Sequence, residues 1–325
     1  QATEQPGQWG AARPMEGTSQ LEAHGSIARR TPTRGRRRIS WVDRNFPRLA
    51  VLPTTLLMLL VFGIPLLFSA WLSLEAWSPD QTLFGGTFAG TANYQDLLTD
   101  PEFTGSLILT LGYTAGVVAA ELGVGMGIAL LLNIDLPWIG LFRTLLIVPM
   151  MITPVVAAFC WKLLLDPDHG VINYFIQQHI VWLGRPDTAL LSVAVVNVWQ
   201  NAPYVAILLL AGLRSLPNEP VEAALIDGAS RFQMFWHITL PLLRPYLLVA
   251  LLLRMIFEFR SFDNVYVMTS GGPANATMVL SMYTYLASFV RFDLSLGAAA
   301  AWMMLLISLI MCGCFIAVVR RRDAN

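Results

Sequence analysis

Charge is what this chain has least of. Only 13% of its 325 residues are Asp, Glu, Lys or Arg, about half the share in an ordinary soluble domain. Too few charged side chains remain to cover a soluble body of this size, which excludes a soluble enzyme. No sign dominates either: 21 basic residues meet 21 acidic ones, so no overall field points to nucleic acid. Three Cys, two of them in the last apolar run (Cys312, Cys314), make neither a disulfide framework nor a zinc site. Four scattered His form no metal-ligand spacing. GxxxxGK[ST], HExxH, GxSxG and paired CxxC are all missing, so ATP hydrolysis by a phosphate loop, membrane proteolysis and dithiol redox chemistry have no carrier in this chain.

What is abundant is apolar: 55% of the residues are hydrophobic. A hydrocarbon core about 30 Å thick needs roughly 20 apolar helical residues. Six stretches qualify: Ala50–Leu74, Gly105–Asn133, Thr144–Leu165, Thr188–Leu213, Pro245–Thr269 and Leu294–Val319. The expected fold is therefore all-α, a polytopic integral membrane protein with six transmembrane helices over 49–322. Residues 1–48, rich in Gly, Pro, Ser and Arg, read as a disordered cytoplasmic tail.

Basic residues fix the expected orientation. Nine Arg precede the first span, Arg143 follows the second, Arg214, Arg231 and Arg244 follow the fourth, and Arg320, Arg321 and Arg322 follow the sixth. The opposite side has only Arg185 and Arg291. The positive-inside rule puts both termini in the cytoplasm of a cell membrane, with membrane lipid as one partner and nucleic acid not among them.

The connection 215–245 is the most informative stretch. Asn218 is placed to cap a short helix with Glu219 and Glu222 in its first turn, where the helix dipole favours anions. Gly228 supplies a stop. Ser230 with Gln233 three residues on is a capping-box pattern for a second short helix, which Pro241 and Pro245 should end. Ala223, Ala224 and Ala229 keep one surface thin, while Phe232, Phe235 and Trp236 offer apolar anchors. From the residues alone two readings stand: a helix docked in a partner's groove, or an interfacial helix among headgroups.

Glu222-Ala223-Ala224, Asp227-Gly228-Ala229, Phe235, Ile238 and Leu240-Pro241 closely resemble the loop that marks membrane subunits of binding-protein-dependent ABC importers. Over Ala50 to Arg322 the chain is similar to the carbohydrate-uptake branch, carried by Phe142-Arg143, Pro149, Trp161, Gly170–Asn173, Trp199, Pro203, Ser261-Phe262-Asp263 and Thr269 through Pro273. The likeness is greatest to the first permease subunit of maltose-type and trehalose-type systems. It departs from the maltose subunit in having six spans instead of eight and in lacking the large outer domain. The resemblance implies a permease fold with cytoplasmic coupling helices. Glu222, Ala223, Ala224, Asp227, Gly228, Ala229 and Phe235 are then the docking surface for an ATP-hydrolysing subunit. It also implies three sorts of partner chain: a second homologous permease, two ATPase subunits and an extracytoplasmic sugar-binding protein. ATP and Mg²⁺ belong to the ATPases, and this chain carries no cofactor, metal or catalytic residue.

Polar groups cluster at mid-span depth, where a charge costs about 2.5–3.5 kcal/mol on insertion scales. The fifth span has Arg254, Glu258, Arg260, Ser261, Asp263 and Asn264; read as one helix, it turns Asp263 away from the others. The fourth has Asn197, Gln200, Asn201 and Tyr204, loosened by Pro203; the third has Met150, Thr153 and Pro154. Amides and charges beside aromatic rings suit a sugar. The expected transient site is lined by Asn201, Tyr204, Glu258, Arg260 and Ser261, with Gln200, Asn197 and Met150 nearby. The family's substrate-contacting region matches these stretches, although Arg260 departs from its amide-rich pattern. Arg254 with Glu258 also reads as an internal pair of the bundle, and Glu121 as a bond to a neighbouring helix. Two rivals remain. One is an ion-driven secondary transporter using Glu121, Glu258 or Asp263 as a relay; the other is an ABC permease for a non-sugar solute, for which Arg260 leaves room.

Overall fold

The computed structural model describes residues 41–323 apart from Leu83, Asp135 and Leu136. In chain order its helices are α1 (Trp41–Met58), α2 (Ile64–Leu72), α3 (Ala92–Thr99), α4 (Pro101–Leu132), α5 (Ile139–Met151), α6 (Pro154–Leu164), α7 (Val171–Ile176), α8 (Pro186–Ser215), α9 (Glu219–Ile226), α10 (Arg231–Met234), α11 (Leu240–Phe259), α12 (Asp263–Met268), α13 (Leu280–Tyr285) and α14 (Leu294–Asp323). π-turns follow α1 (Leu59–Gly63), α10 (Phe235–Thr239) and α13 (Leu286–Val290). Among the described residues β structure is a single antiparallel pair, Glu75–Ala76 with Thr87–Phe88.

The chain divides into two units, Gln1–Leu59 and Leu60–Asn325. Of the first, α1 is described, and its residues Val51 to Met58 are exposed. The Arg-rich tail expected over 1–48 lies outside the described residues up to Ser40, and Trp41–Arg48 are helical. All that follows concerns the second unit.

Five helical stretches have the length and apolarity to cross a membrane: Ala50–Leu72, Pro101–Leu132, Pro186–Ser215, Arg231–Phe259 and Leu294–Ala317. A sixth crossing is the bent pair α5 and α6, which meet at 97°. The bend has a local cause. Proline disfavours α geometry in the residue before it, and Ile152 and Thr153, ahead of Pro154, are extended at ψ 132° and 143°.

α4 and α8 form the centre of the unit. Asp100 starts α4 by accepting from the Glu102 amide at 2.8 Å, with Pro101 in the first turn where no N–H is missed. The two helices approach closely at Gly125, where a Cβ would stand 2.6 Å from Val205 Cγ1 and 3.2 Å from the Ala202 carbonyl oxygen. Three apolar clusters complete the interior. One joins α4, α6, α8 and α12 around Val193 and Val265. Another joins α4, α8 and α11 around Leu209 and Leu243. The third joins α3, α4, α13 and α14 around Phe103 and Tyr283.

Two expectations about the fifth span need correcting. It is not one helix over Pro245–Thr269: α11 ends at Phe259, Arg260–Phe262 break the helix, and α12 begins at Asp263. Nor do Pro241 and Pro245 end the short helix after Ser230. α10, the π-turn and α11 run on as one stretch, Arg231–Phe259. Pro241 sits in the first turn of α11, where it displaces no bond, and Pro245 is accommodated inside.

Candidate functional site

The breaks in the third and fifth spans and the middle of α8 meet around one cavity of about 320 Å³. Its lining includes Met150, Asn197, Gln200, Asn201, Glu258, Arg260 and Ser261, seven of the eight residues expected there. Tyr204 stands outside it, packed with Leu209 and Leu243. Although Tyr204 follows Asn197 and Asn201 along one face of α8, it lies about a turn beyond them, where α11 is unbroken and leaves no space. Asp263, expected to point away, lines the cavity, because the break before α12 re-aims it. Asn264 and Phe257 join the lining as well. The signal that could have located the break is the run Arg260-Ser261-Phe262-Asp263-Asn264, too polar for a continuous span.

Each break is held by a side chain. Gln200 Nε2 donates to the Ile152 carbonyl at 2.9 Å, satisfying an oxygen the bend releases from the helix ladder. Lys162 Nζ donates to the Val267 carbonyl at 3.0 Å and ties α6 to the end of α12.

Behind the cavity wall runs a buried polar chain. Arg254 Nε and Nη2 donate to the two carboxylate oxygens of Glu121, each at 2.7 Å, a fork-on-fork pairing. Arg254 Nη2 also reaches Glu258 Oε2 at 3.1 Å. Glu258 Oε1 accepts from Asn197 Nδ2 at 2.6 Å, and the same amide lies 2.8 Å from Tyr113 Oη. Asn197 Oδ1 accepts from Asn264 Nδ2 at 2.9 Å. The chain thus crosses from α4 through α11 and α8 to α12. It occupies Nε and Nη2 of Arg254, itself part of the cavity lining, with two carboxylates.

Other lining groups are uncommitted. Arg260 and Asp263 are exposed, and neither has an ion-pair partner among the described residues. Asn264 is only 3% exposed, and its Oδ1 has no hydrogen-bond partner among them. That oxygen is closed off inside the wall, an unpaired buried acceptor. Phe257, 65% exposed, and Phe262 add aromatic surface.

At the other end of α11 lies the loop of α9 and α10. Glu219 and Glu222 occupy the first turn of α9. Asn218 precedes it in helical geometry with no side-chain cap, against expectation. Gly228 ends α9 at φ +77°, the left-handed region open to glycine. The amide of Ala229 donates to the Ala224 carbonyl at 2.9 Å and that of Gly228 to Leu225 at 3.1 Å, a Schellman closure. Ser230 and Gln233 form the capping box of α10. Glu222, Ala223, Asp227 and Gly228 are exposed, Ala224 and Ala229 half-buried. Phe235 is not an outward anchor: it packs with the α4–α8–α11 cluster. The outward apolar side chains are Ile226 at 87% exposure, Phe232, Leu225 and Trp236.

A cavity at helix breaks within a bundle, joined by α8 and α11 to a bent and exposed loop, is an arrangement suited to a transport permease. The chain belongs to the family of binding-protein-dependent transport system inner membrane components, whose pattern matches residues 112–323. It is 34% identical to the trehalose/maltose transport system permease protein MalF of Thermococcus litoralis over 255 residues, 76% of this chain and 85% of that one. It is 33% identical to the trehalose transport system permease protein SugA of Mycobacterium tuberculosis, over 84% and 85% of the two chains. A chain of a bacterial ABC transporter that imports the acidic polysaccharide alginate shares its fold at TM-score 0.74 and 22% identity, over 86% of this chain and 97% of that one.

Proposed function

We propose that this chain is one of two permease subunits of an ATP-driven sugar importer, taking an oligosaccharide of disaccharide size such as trehalose. Both termini lie in the cytoplasm. An outer binding protein delivers the sugar to the face formed by Glu75–Glu102, Asp166–Asp187 and Gly271–Arg291, and a second, homologous permease encloses the other side of the path. ATPase subunits grip the α9–α10 loops, and their closure on ATP and Mg²⁺ turns the bundle from inward- to outward-facing by rigid-body motion. The chain itself performs no chemistry on the sugar.

One observation carries the sugar reading. The cavity wall presents an exposed guanidinium, Arg260, and an exposed carboxylate, Asp263, neither of them in an ion pair among the described residues, beside the half-buried amide of Asn201. Sugar hydroxyls both donate and accept. One can donate to Asp263 while its neighbour accepts from Arg260, and the aromatic ring of Phe257 covers the CH surface. The relatives named for trehalose and maltose support the same class of cargo.

The test is uptake by vesicles holding the assembled importer with Asn201→Ala, Asp263→Asn or Arg260→Gln in this chain. The expected result is a KM for sugar raised about tenfold, the loss of one or two hydrogen bonds to charged or buried groups, with the ATPase subunits still bound. Wild-type KM in all three variants overturns the site. Uphill uptake by the chain without ATPase subunits overturns the importer.

A further inference from the structure

A second concavity, about 500 Å³, lies between α11 and α14, on the stretch of α11 nearest the coupling loop. Its floor is apolar, with Leu248 and Leu252 from α11 and Phe315 and Ile316 from α14. Its polar groups gather at one end. Arg244 is half-buried there and has no carboxylate within ion-pair distance among the described residues. Pro241 and Pro245 line the same end. Pro245 has no N–H to offer the carbonyl four residues back, that of Pro241, so an acceptor is freed beside the guanidinium.

We propose that this trough is a binding site for an anionic phospholipid of the leaflet on the coupling-loop side. Its dimensions and its charge pattern both fit. From Pro241 to Leu252 α11 rises about 16 Å at 1.5 Å per residue, which is the depth of one leaflet, half of a core about 30 Å thick. The single cation stands where the phosphate of such a lipid lies, and the apolar floor runs along its acyl chain. The Pro241 carbonyl accepts from a headgroup hydroxyl. In sequence α14 ends in Arg320-Arg321-Arg322, which adds local attraction for anionic lipid. The site touches one of the two helices, α8 and α11, that join the loop to the cavity, so on the function proposed above lipid seated there stiffens α11 at its proline-loosened turn and sets how fully ATPase closure reaches the cavity.

The test uses the assembled importer in nanodiscs of phosphatidylcholine doped with phosphatidylglycerol, with retained lipid counted by native mass spectrometry. Wild type is expected to retain phosphatidylglycerol over phosphatidylcholine. Arg244→Gln should lower that retention about fivefold, the effect of one basic side chain at a membrane surface, and Arg244→Lys should keep most of it. Leu252→Trp, which fills the floor and leaves the cation, should abolish retention. Equal retention of the two lipids by wild type overturns the proposal, as does undiminished retention in Arg244→Gln. So does a disulfide between Val249→Cys and a neighbouring permease chain, since protein would then occupy the trough.

Discussion

Replacing Arg254 by Met tests the buried chain most directly. Arg254 makes three short bonds, two at 2.7 Å to Glu121 and one at 3.1 Å to Glu258. Glu121 is fully buried and Glu258 is 3% exposed. With both carboxylates ionised, the three groups sum to one negative charge; without the guanidinium they sum to two, with no other cation at ion-pair distance among the described residues. Removing one partner of a buried pair costs about 3–5 kcal/mol, because the other is left charged in a poor solvent. Replacing all members by well-packed neutral residues is neutral or stabilising by about 1–4 kcal/mol. The triple variant Glu121→Leu, Arg254→Met, Glu258→Gln is therefore expected to recover the stability the single variant loses. Gln at 258 still offers Asn197 its acceptor. Thermal unfolding of the assembled importer, followed by the fluorescence of the chain's ten Trp, measures both. If Arg254→Met melts with wild type, or the triple variant is as weak as the single, the electrostatic account of this chain is wrong.

Gly125→Ala should destabilise the bundle by about 1–3 kcal/mol as overpacking against Val205. On the same helix Gly123→Ala, whose Cβ meets nothing within 4 Å, should be neutral or stabilise by up to about 1 kcal/mol through helix propensity; the same melting assay separates them. Gly228→Leu forces a side chain into φ +77° at about 1–2 kcal/mol, and should lower co-purification of the ATPase subunits while leaving the cavity intact. In the outer loop the amides of His169 and Asp168 both donate to the Asp166 carboxylate and hold its pKa below the usual range. Stability from a depressed carboxylate is present above its unfolded pKa and is lost as pH falls through the folded one. The protection of those two amides, measured against their intrinsic exchange rates, should therefore fall on acidification below the ordinary Asp range, and in Asp166→Asn should be low at every pH.

Much of this architecture is legible in the residues because membranes enforce simple rules. α4 and α14 read as long apolar runs, and the capping box and glycine stop of the α9–α10 loop are local chemistry that tertiary contacts do not override. The bend at Thr153-Pro154 has its own local mark. What sequence spacing misled was anything that depended on a continuous fifth helix. A hundred degrees per residue turned Asp263 away, and three unwound residues brought it back. Tyr204 failed for the complementary reason: shared helix face does not mean shared depth. Asn264 was visible as a polar residue, but its unpaired acceptor depends on which neighbours bond its amide, a tertiary fact.

The stretch Arg231–Phe259 is 29 residues long, about 43 Å of helix. Such a rod behaves as a lever. If its capped end is tilted by about 5°, the far end sweeps about 4 Å, by the same helix length, which is more than the reach of a hydrogen bond. Arg260, Ser261 and Asp263 sit just past that far end, so on the proposed mechanism a modest stroke at the loop is enough to part them from a bound ligand.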